Sequence, residues 1–127
     1  MNTKPYKKIL VVDDDPIIRD MMVDILGMEG YPIEVARNGH EALEKLHGTE
    51  DYLVFLDLMM PGMNGRDVCE QLNAEPDIRK RHVIILISAL DNLAQARTLH
   101  VNSTMPKPFS VEDVLRVVQP YMGSPLG

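Results

Sequence analysis

Lys8-Ile9-Leu10-Val11-Val12-Asp13-Asp14-Asp15-Pro16 is the stretch whose reading decides the fold. Its apolar, β-branched run reads as a strand covered on both faces, the pattern of a parallel sheet. The run breaks into three carboxylates and a proline. Asp15-Pro16 has the form of an N-cap followed by proline at the first helical position. A helix with the apolar stripe Ile18, Met21, Met22 and Ile25 follows and ends near Gly30. One strand therefore passes into one helix across an acidic tip.

Outward from that unit the same rhythm recurs to a total of five. Ile33 to Ala36 is a second strand after Pro32. A helix starting at Asn38 or Gly39 carries Ala42, Leu43 and Leu46. The third strand runs from about Tyr52 to Asp57, and the loop Met59 to Gly65 leads to a helix with Val68, Cys69 and Leu72 that stops by Pro76. Val83 to Ser88 is the fourth strand, with Asp91 as the expected cap of the next helix. A short fifth strand around Thr104-Met105 precedes Pro106. Ser110 caps a last helix bearing Val111, Val114, Leu115 and Val118, closed by Pro120.

Strand–helix alternation predicts an α/β fold, a parallel sheet with helices on both faces. Strands one, three and four are continuous apolar runs, so they belong in the centre. Strands two and five are short and flanked or interrupted by proline, which places them at the edges. The expected architecture is a doubly wound five-stranded parallel sheet of order 2-1-3-4-5, a flavodoxin-like (βα)5 three-layer sandwich. Residues 1–127 read as one domain with its core at about 8–121, and 122–127 as a tail or the start of a linker.

With 127 residues, 45% hydrophobic and 25% charged, the chain has the composition of a soluble globular domain. A net charge of −6 without a basic cluster argues against direct nucleic-acid binding. Arg79-Lys80-Arg81 is short and is expected to solvate the turn before a strand. The single cysteine, Cys69, excludes an internal disulfide and reads as a packed small hydrophobe; a reducing cytoplasm is the expected location. No run reaches membrane-spanning length, and Met1 to Pro5 holds no apolar signal core. His40, His47, His82 and His100 lack metal-ligand spacing and read as surface or partly packed residues.

Ligands of open parallel sheets bind beyond the carboxyl ends of the strands, at the switch between strands one and three in this order. Asp13 and Asp14 end strand one, Asp57 ends strand three, Ser88 ends strand four, and Lys107 lies between Pro106 and Pro108. Two carboxylates about 5 Å apart repel by roughly 3 kcal/mol at an effective dielectric near 20. Three of them call for a cation, and hard oxygen ligands suit Mg²⁺. Asp15 is assigned to the helix cap. Lys107–Pro108 is expected to be cis, with the ammonium aimed at Asp57. Ser88, at the end of a buried apolar strand on the same edge as Asp57, is expected to be a hydrogen-bond partner for a phosphoryl oxygen.

The chain resembles a two-component response-regulator receiver domain, of the single-domain chemotaxis-regulator kind, from about Lys8 to Tyr121. The resemblance is carried by Ile9 to Asp15, Leu56-Asp57-Leu58-Met59-Met60-Pro61-Gly62-Met63-Asn64-Gly65, Ser88-Ala89 and Lys107-Pro108-Phe109. It implies that Asp57 accepts a phosphoryl group from a phosphohistidine of a sensor histidine kinase or phosphotransfer protein. Mg²⁺, for which Mn²⁺ can substitute, is implied at Asp14, Asp57 and the Met59 carbonyl, with Asp13 helping through water. Ser88, Lys107 and the backbone N–H groups of Leu58 and Ala89 are implied to hold phosphoryl oxygens. The implied protein is a signalling domain rather than an enzyme. Its face of the helix after strand four, strand five and the last helix would control a downstream protein or a fused output domain.

The chain departs from that family at His100-Val101-Asn102-Ser103-Thr104, which replaces a Gly-Ala-acidic-acidic-aromatic run and puts Thr104 where the switch aromatic commonly stands. Output is therefore expected to pass through the loops at Ser88–Asp91 and Val101–Pro106. Tyr52 replaces a common acid, read as a local packing difference. Met59 and Leu90, two residues beyond Asp57 and Ser88, are apolar and imply slow loss of the phosphoryl group. Two rival readings fit less well. An aspartyl phosphatase usually needs a second acid where Met59 stands, and it needs room for a cap. A nucleotide or flavin module needs a glycine-rich turn in place of Asp13-Asp14-Asp15-Pro16. A degenerate receiver is opposed by the intact Asp14, Asp57, Ser88 and Lys107.

Overall fold

The computed structural model describes residues 7–122, except for the side chains of Leu90 and Gln95. The elements are β1 (Lys8–Val12), α1 (Pro16–Met28), β2 (Ile33–Ala36), α2 (Gly39–Leu46), β3 (Tyr52–Asp57), α3 (Gly65–Asn73), α4 (Pro76–Arg79), β4 (Val83–Ala89), a 3-10 helix (Leu90–Thr98), β5 (Ser103–Lys107) and α5 (Val111–Met122). All five strands are parallel, in the order β2-β1-β3-β4-β5. The expected sheet is the one observed.

Alternate strand residues point to opposite faces, and the core splits accordingly. Leu10, Val12, Val54, Leu56, Ile84 and Leu86 pack under α2, α3 and the 3-10 helix. Ile9, Val11, Leu53, Phe55, Ile85 and Ile87 pack against Met22 and Leu26 of α1 and Val114, Val118 and Met122 of α5. Each fully buried Leu, Ile or Phe contributes about 1.5–3 kcal/mol, so the sheet is held from both sides. On α1 the fully buried pair is Met22 and Leu26, whereas Met21 faces outward.

Caps fix where helices begin. Asp15 accepts from the Ile17 N–H at 2.9 Å. Asn38 accepts from Glu41 at 2.9 Å. Asn64 and Asp67 form a reciprocal capping box, as do Ser110 and Asp113. Four details differ from the sequence reading. First, the segment after β4 is 3-10 rather than α, it starts after Ala89, and Asp91 is not its cap. Second, a separate turn, α4, starts at Pro76 where the previous helix was expected simply to stop. Third, Pro120 lies inside α5, because buried Met122 holds the last turn onto the core. Fourth, Ser103–Pro106 is strand, paired with Ile85–Ser88, and not loop.

Two assignments made from composition also change. Arg79 and Arg81 do not merely solvate a turn. Arg79 donates to the carbonyls of His82 and His100 and to Asn102, and Arg81 donates to the carbonyls of Leu46 and Gly48. His82 is not a surface residue: it is buried, accepts from the Tyr52 N–H at Nδ1, and therefore donates from Nε2 to the Leu46 carbonyl. Burial keeps its pKa below the usual value. Cys69 is buried, as expected, and burial pushes its thiol up to about 11. Tyr52 does serve packing: its hydroxyl donates to Glu34 at 2.8 Å. Among the described residues no helix is long and apolar enough to cross a membrane.

Candidate functional site

Register places the acidic groups side by side. Val12 pairs with Leu56, so Asp13 and Asp57 are the next residues on adjacent strands, which lie about 4.8 Å apart in a sheet. Asp57 in turn pairs with Ile87, the residue before Ser88, and Ala89 pairs with Lys107. Asp13, Asp57 and Ser88 are all buried, whereas Asp14 is exposed. One oxygen each from Asp13, Asp14 and Asp57 lies within 4.8 Å of the others.

Each buried acid is held by several donors. The Asp13 carboxylate accepts from the Asp15 N–H at 2.9 Å, and its backbone carbonyl accepts from Arg19 Nη1 at 2.7 Å. Asp57 Oδ1 accepts from the Met59 N–H at 3.2 Å. Lys107 Nζ lies 3.4 Å from Asp57 Oδ2 and 3.5 Å from Asp13 Oδ2, so one ammonium spans two strand tips. The Lys107–Pro108 bond is cis, as anticipated.

Electrostatics follow from that geometry. Burial, with the Asp13 charge adding to it, pushes the Asp57 carboxyl up to about 6, and Lys107 offsets only part of this. Burial works against the Lys107 ammonium, but the Asp57 and Asp13 carboxylates outweigh it and hold its pKa above the usual value. Three carboxylates against one ammonium leave a formal excess of two negative charges. A hard, all-oxygen donor set with that excess and one solvent-facing member fits Mg²⁺, which keeps part of its water shell and takes only a few protein ligands. The residues that would hold it are Asp13, Asp14 and Asp57.

Three expectations need comment. The Leu58 N–H donates to the Ile87 carbonyl at 2.9 Å as part of the sheet, so it does not face the Asp57 side chain. The N–H that does so belongs to Met59. Thr104 is exposed on β5 opposite Leu86, one register step before the row of the acidic tips and separated from Asp57 by β4. The Leu90 side chain lies outside the described residues. Arg19 is not singled out by the sequence, and Gly65 enters there only as the end of the loop and of the matching Leu56–Gly65 stretch, without a role. Arg19 is one turn into α1, a spacing from which a long side chain reaches back to the strand tip. Gly65 follows the Asn64 cap at a point where helix chemistry does not require glycine. A Cβ there would lie 2.5 Å from the Asp57 carbonyl oxygen and 2.8 Å from Leu58 Cα.

Comparison with known proteins agrees with this geometry. The family model for the response regulator receiver domain matches residues 9–119. Response regulator MprA of Mycolicibacterium vanbaalenii is 34% identical over 111 residues, which cover 85% of this chain and 47% of that protein. The chain thus spans about half the length of the curated relatives it matches. Among solved structures, the CheY-like receiver domain protein of Methanospirillum hungatei JF-1 superimposes with a TM-score of 0.79 at 27% identity, covering 91% of this chain and 94% of the other. The response regulator TrrA of Thermotoga maritima, solved in complex with Mg²⁺-BeF, has a TM-score of 0.77 at 34% identity and covers 90% of this chain and 97% of its own.

Proposed function

The chain belongs to the response-regulator receiver-domain family, and from that premise we propose that Asp57 is its phosphoacceptor, supplied by a phosphohistidine and assisted by Mg²⁺. The observation that carries this is Lys107 Nζ placed between the buried Asp57 and Asp13 carboxylates, with the exposed Asp14 beside them. An Asp57 oxygen forms the new P–O bond as the P–N bond of the phosphoimidazole breaks, and the electron pair leaves with the imidazole nitrogen. The cation at Asp13, Asp14, Asp57 and the Met59 carbonyl, when bound, neutralises charge on the transferring group. Lys107, Ser88 and the N–H groups of Met59 and Ala89 hold the phosphoryl oxygens. Positioning and charge neutralisation supply most of the acceleration in such transfers. The protein acts as a self-phosphorylating signalling domain rather than an enzyme with a turnover substrate.

The donor is a sensor histidine kinase or a phosphotransfer protein. Beside Lys107 an apolar groove of about 350 Å³, lined by Ile18, Met21, Pro108 and Phe109, supports a docked donor within reach of Asp57. Ile17 is 74% exposed close by on α1. On the output side, a cleft of about 310 Å³ between β5 and α5, lined by Thr104, Met105, Pro106, Val117 and Tyr121, supports recognition by a downstream protein or output domain. Added phosphoryl charge draws on Ser88 and Lys107 and so transmits through β4 and β5.

The test is intact-mass analysis after incubation with phosphoramidate and Mg²⁺. Wild type gains one phosphoryl group, whereas Asp57→Asn gains none and Lys107→Ala gains it slowly. A phosphoryl group retained by Asp57→Asn overturns the assignment.

A further inference from the structure

We propose that Arg19 is a positioning residue for the cation site, acting through the backbone carbonyl of Asp13; the proposal rests on the cation reading given above. β1 ends at Val12, and Asp13 makes one last sheet bond, from its N–H to the Ala36 carbonyl. Its own carbonyl lies past the ladder and is taken by Arg19 Nη1 at 2.7 Å. A peptide is a rigid plane, so holding that oxygen also fixes the N–H and Cα of Asp14.

Asp14 depends on this more than its neighbours do. Asp13 is anchored through both carboxylate oxygens, to the Asp15 N–H and to Lys107, and Asp57 by the Met59 N–H and Lys107. Asp14 is exposed, and its side chain has no hydrogen-bond or ion-pair partner among the described residues. Its place in the acidic cluster is therefore set by its backbone alone. Arg19 is half-buried on α1, a helix started by the Asp15 cap and held to the core by Met22 and Leu26. The guanidinium ties the first turns of α1 to the end of β1.

Charge and position predict opposite signs. Removing a cation from beside three acids strengthens Mg²⁺ binding if charge is all that matters. If position matters, removal weakens it, by roughly tenfold, as for other groups that orient metal ligands from behind. The experiment is calorimetric titration of the whole chain with Mg²⁺, with metal-free melting curves as a check on folding. Arg19→Met is expected to weaken Mg²⁺ binding, and Arg19→Lys, which restores a donor and the charge, to recover most of the loss. Should Arg19→Met melt too early to titrate, Arg19→Gln is read the same way, since its side chain is too short to span the gap. Unchanged or tighter binding in the Met or Gln variant overturns the inference while leaving the cation site intact. A wild type that binds no Mg²⁺ overturns both.

Discussion

Met59 donates its N–H to Asp57, two residues back, while its side chain is 58% exposed. A thioether is a weak acceptor and cannot orient a water molecule for attack on an acyl phosphate. If Asp57 is the phosphoacceptor as proposed, loss of its phosphoryl group is accordingly expected to be slow. Met59→Asn, alone or with Leu90→Glu, is expected to accelerate that loss severalfold, read as decay of phosphorylated mass with time; an unchanged rate refutes the idea. Asp57 and Lys107 were legible from sequence because strand ends and a proline-locked lysine mark where side chains go. Arg19 and the Met59 N–H were not. Their roles depend on where one carbonyl and one amide point once a strand has ended, and side-chain identity does not encode that.

Among elements, the 3-10 helix was the least legible. Leu90, Leu93 and Ala96 within it and Leu99 just after it recur every third position, the repeat of a 3-10 helix rather than the 3.6 of an α-helix. A repeat of three differs so little from 3.6 over nine residues that it does not separate an α-helix from a 3-10 helix. At its end His100 adopts φ +58°, a left-handed conformation that costs a residue with a Cβ about 1–2 kcal/mol. The His100 carbonyl and Asn102 are held by Arg79, and Asn102 also pairs with Ile84 through both its side chain and its N–H, so the turn has little freedom to relax. Only the backbone of His100 is used there. His100→Gly is therefore expected to raise stability by about 0.5–1 kcal/mol, the relief of strain exceeding the entropy lost from the unfolded chain. Urea melts measure it, and a lower midpoint contradicts it. The strand order was legible in full, since burial on two faces and proline at the edges are written in composition.

For the whole molecule, the site is a stability cost carried in the absence of metal. The Asp57 carboxyl titrates near 6 when folded, above its ordinary value of 3.8. Its favourable contribution is thus fully present below about pH 4 and is lost as pH rises through 6. Glu34 behaves oppositely. Burial works against its charge, but Lys8, Tyr52 and Lys45 hold the carboxyl at about 2, so its contribution is present above 4.5 and fades as pH falls toward 2. Comparing wild type with Asp57→Asn cancels Glu34. In chelator, the variant is expected to be the more stable at pH 7.5, by an amount on the order of 1–3 kcal/mol, with the gap shrinking as pH falls and closing only below about pH 4, and Mg²⁺ is expected to narrow it by stabilising only wild type. A gap that is independent of pH in denaturant melts would contradict this.

The bare backbone contact at Gly65 has a consequence of its own. At that contact the start of α3 meets the Asp57 peptide directly, so no substitution there can fine-tune the spacing; every replacement adds bulk. Any side chain at position 65 therefore pushes the start of α3 away from the Asp57 peptide.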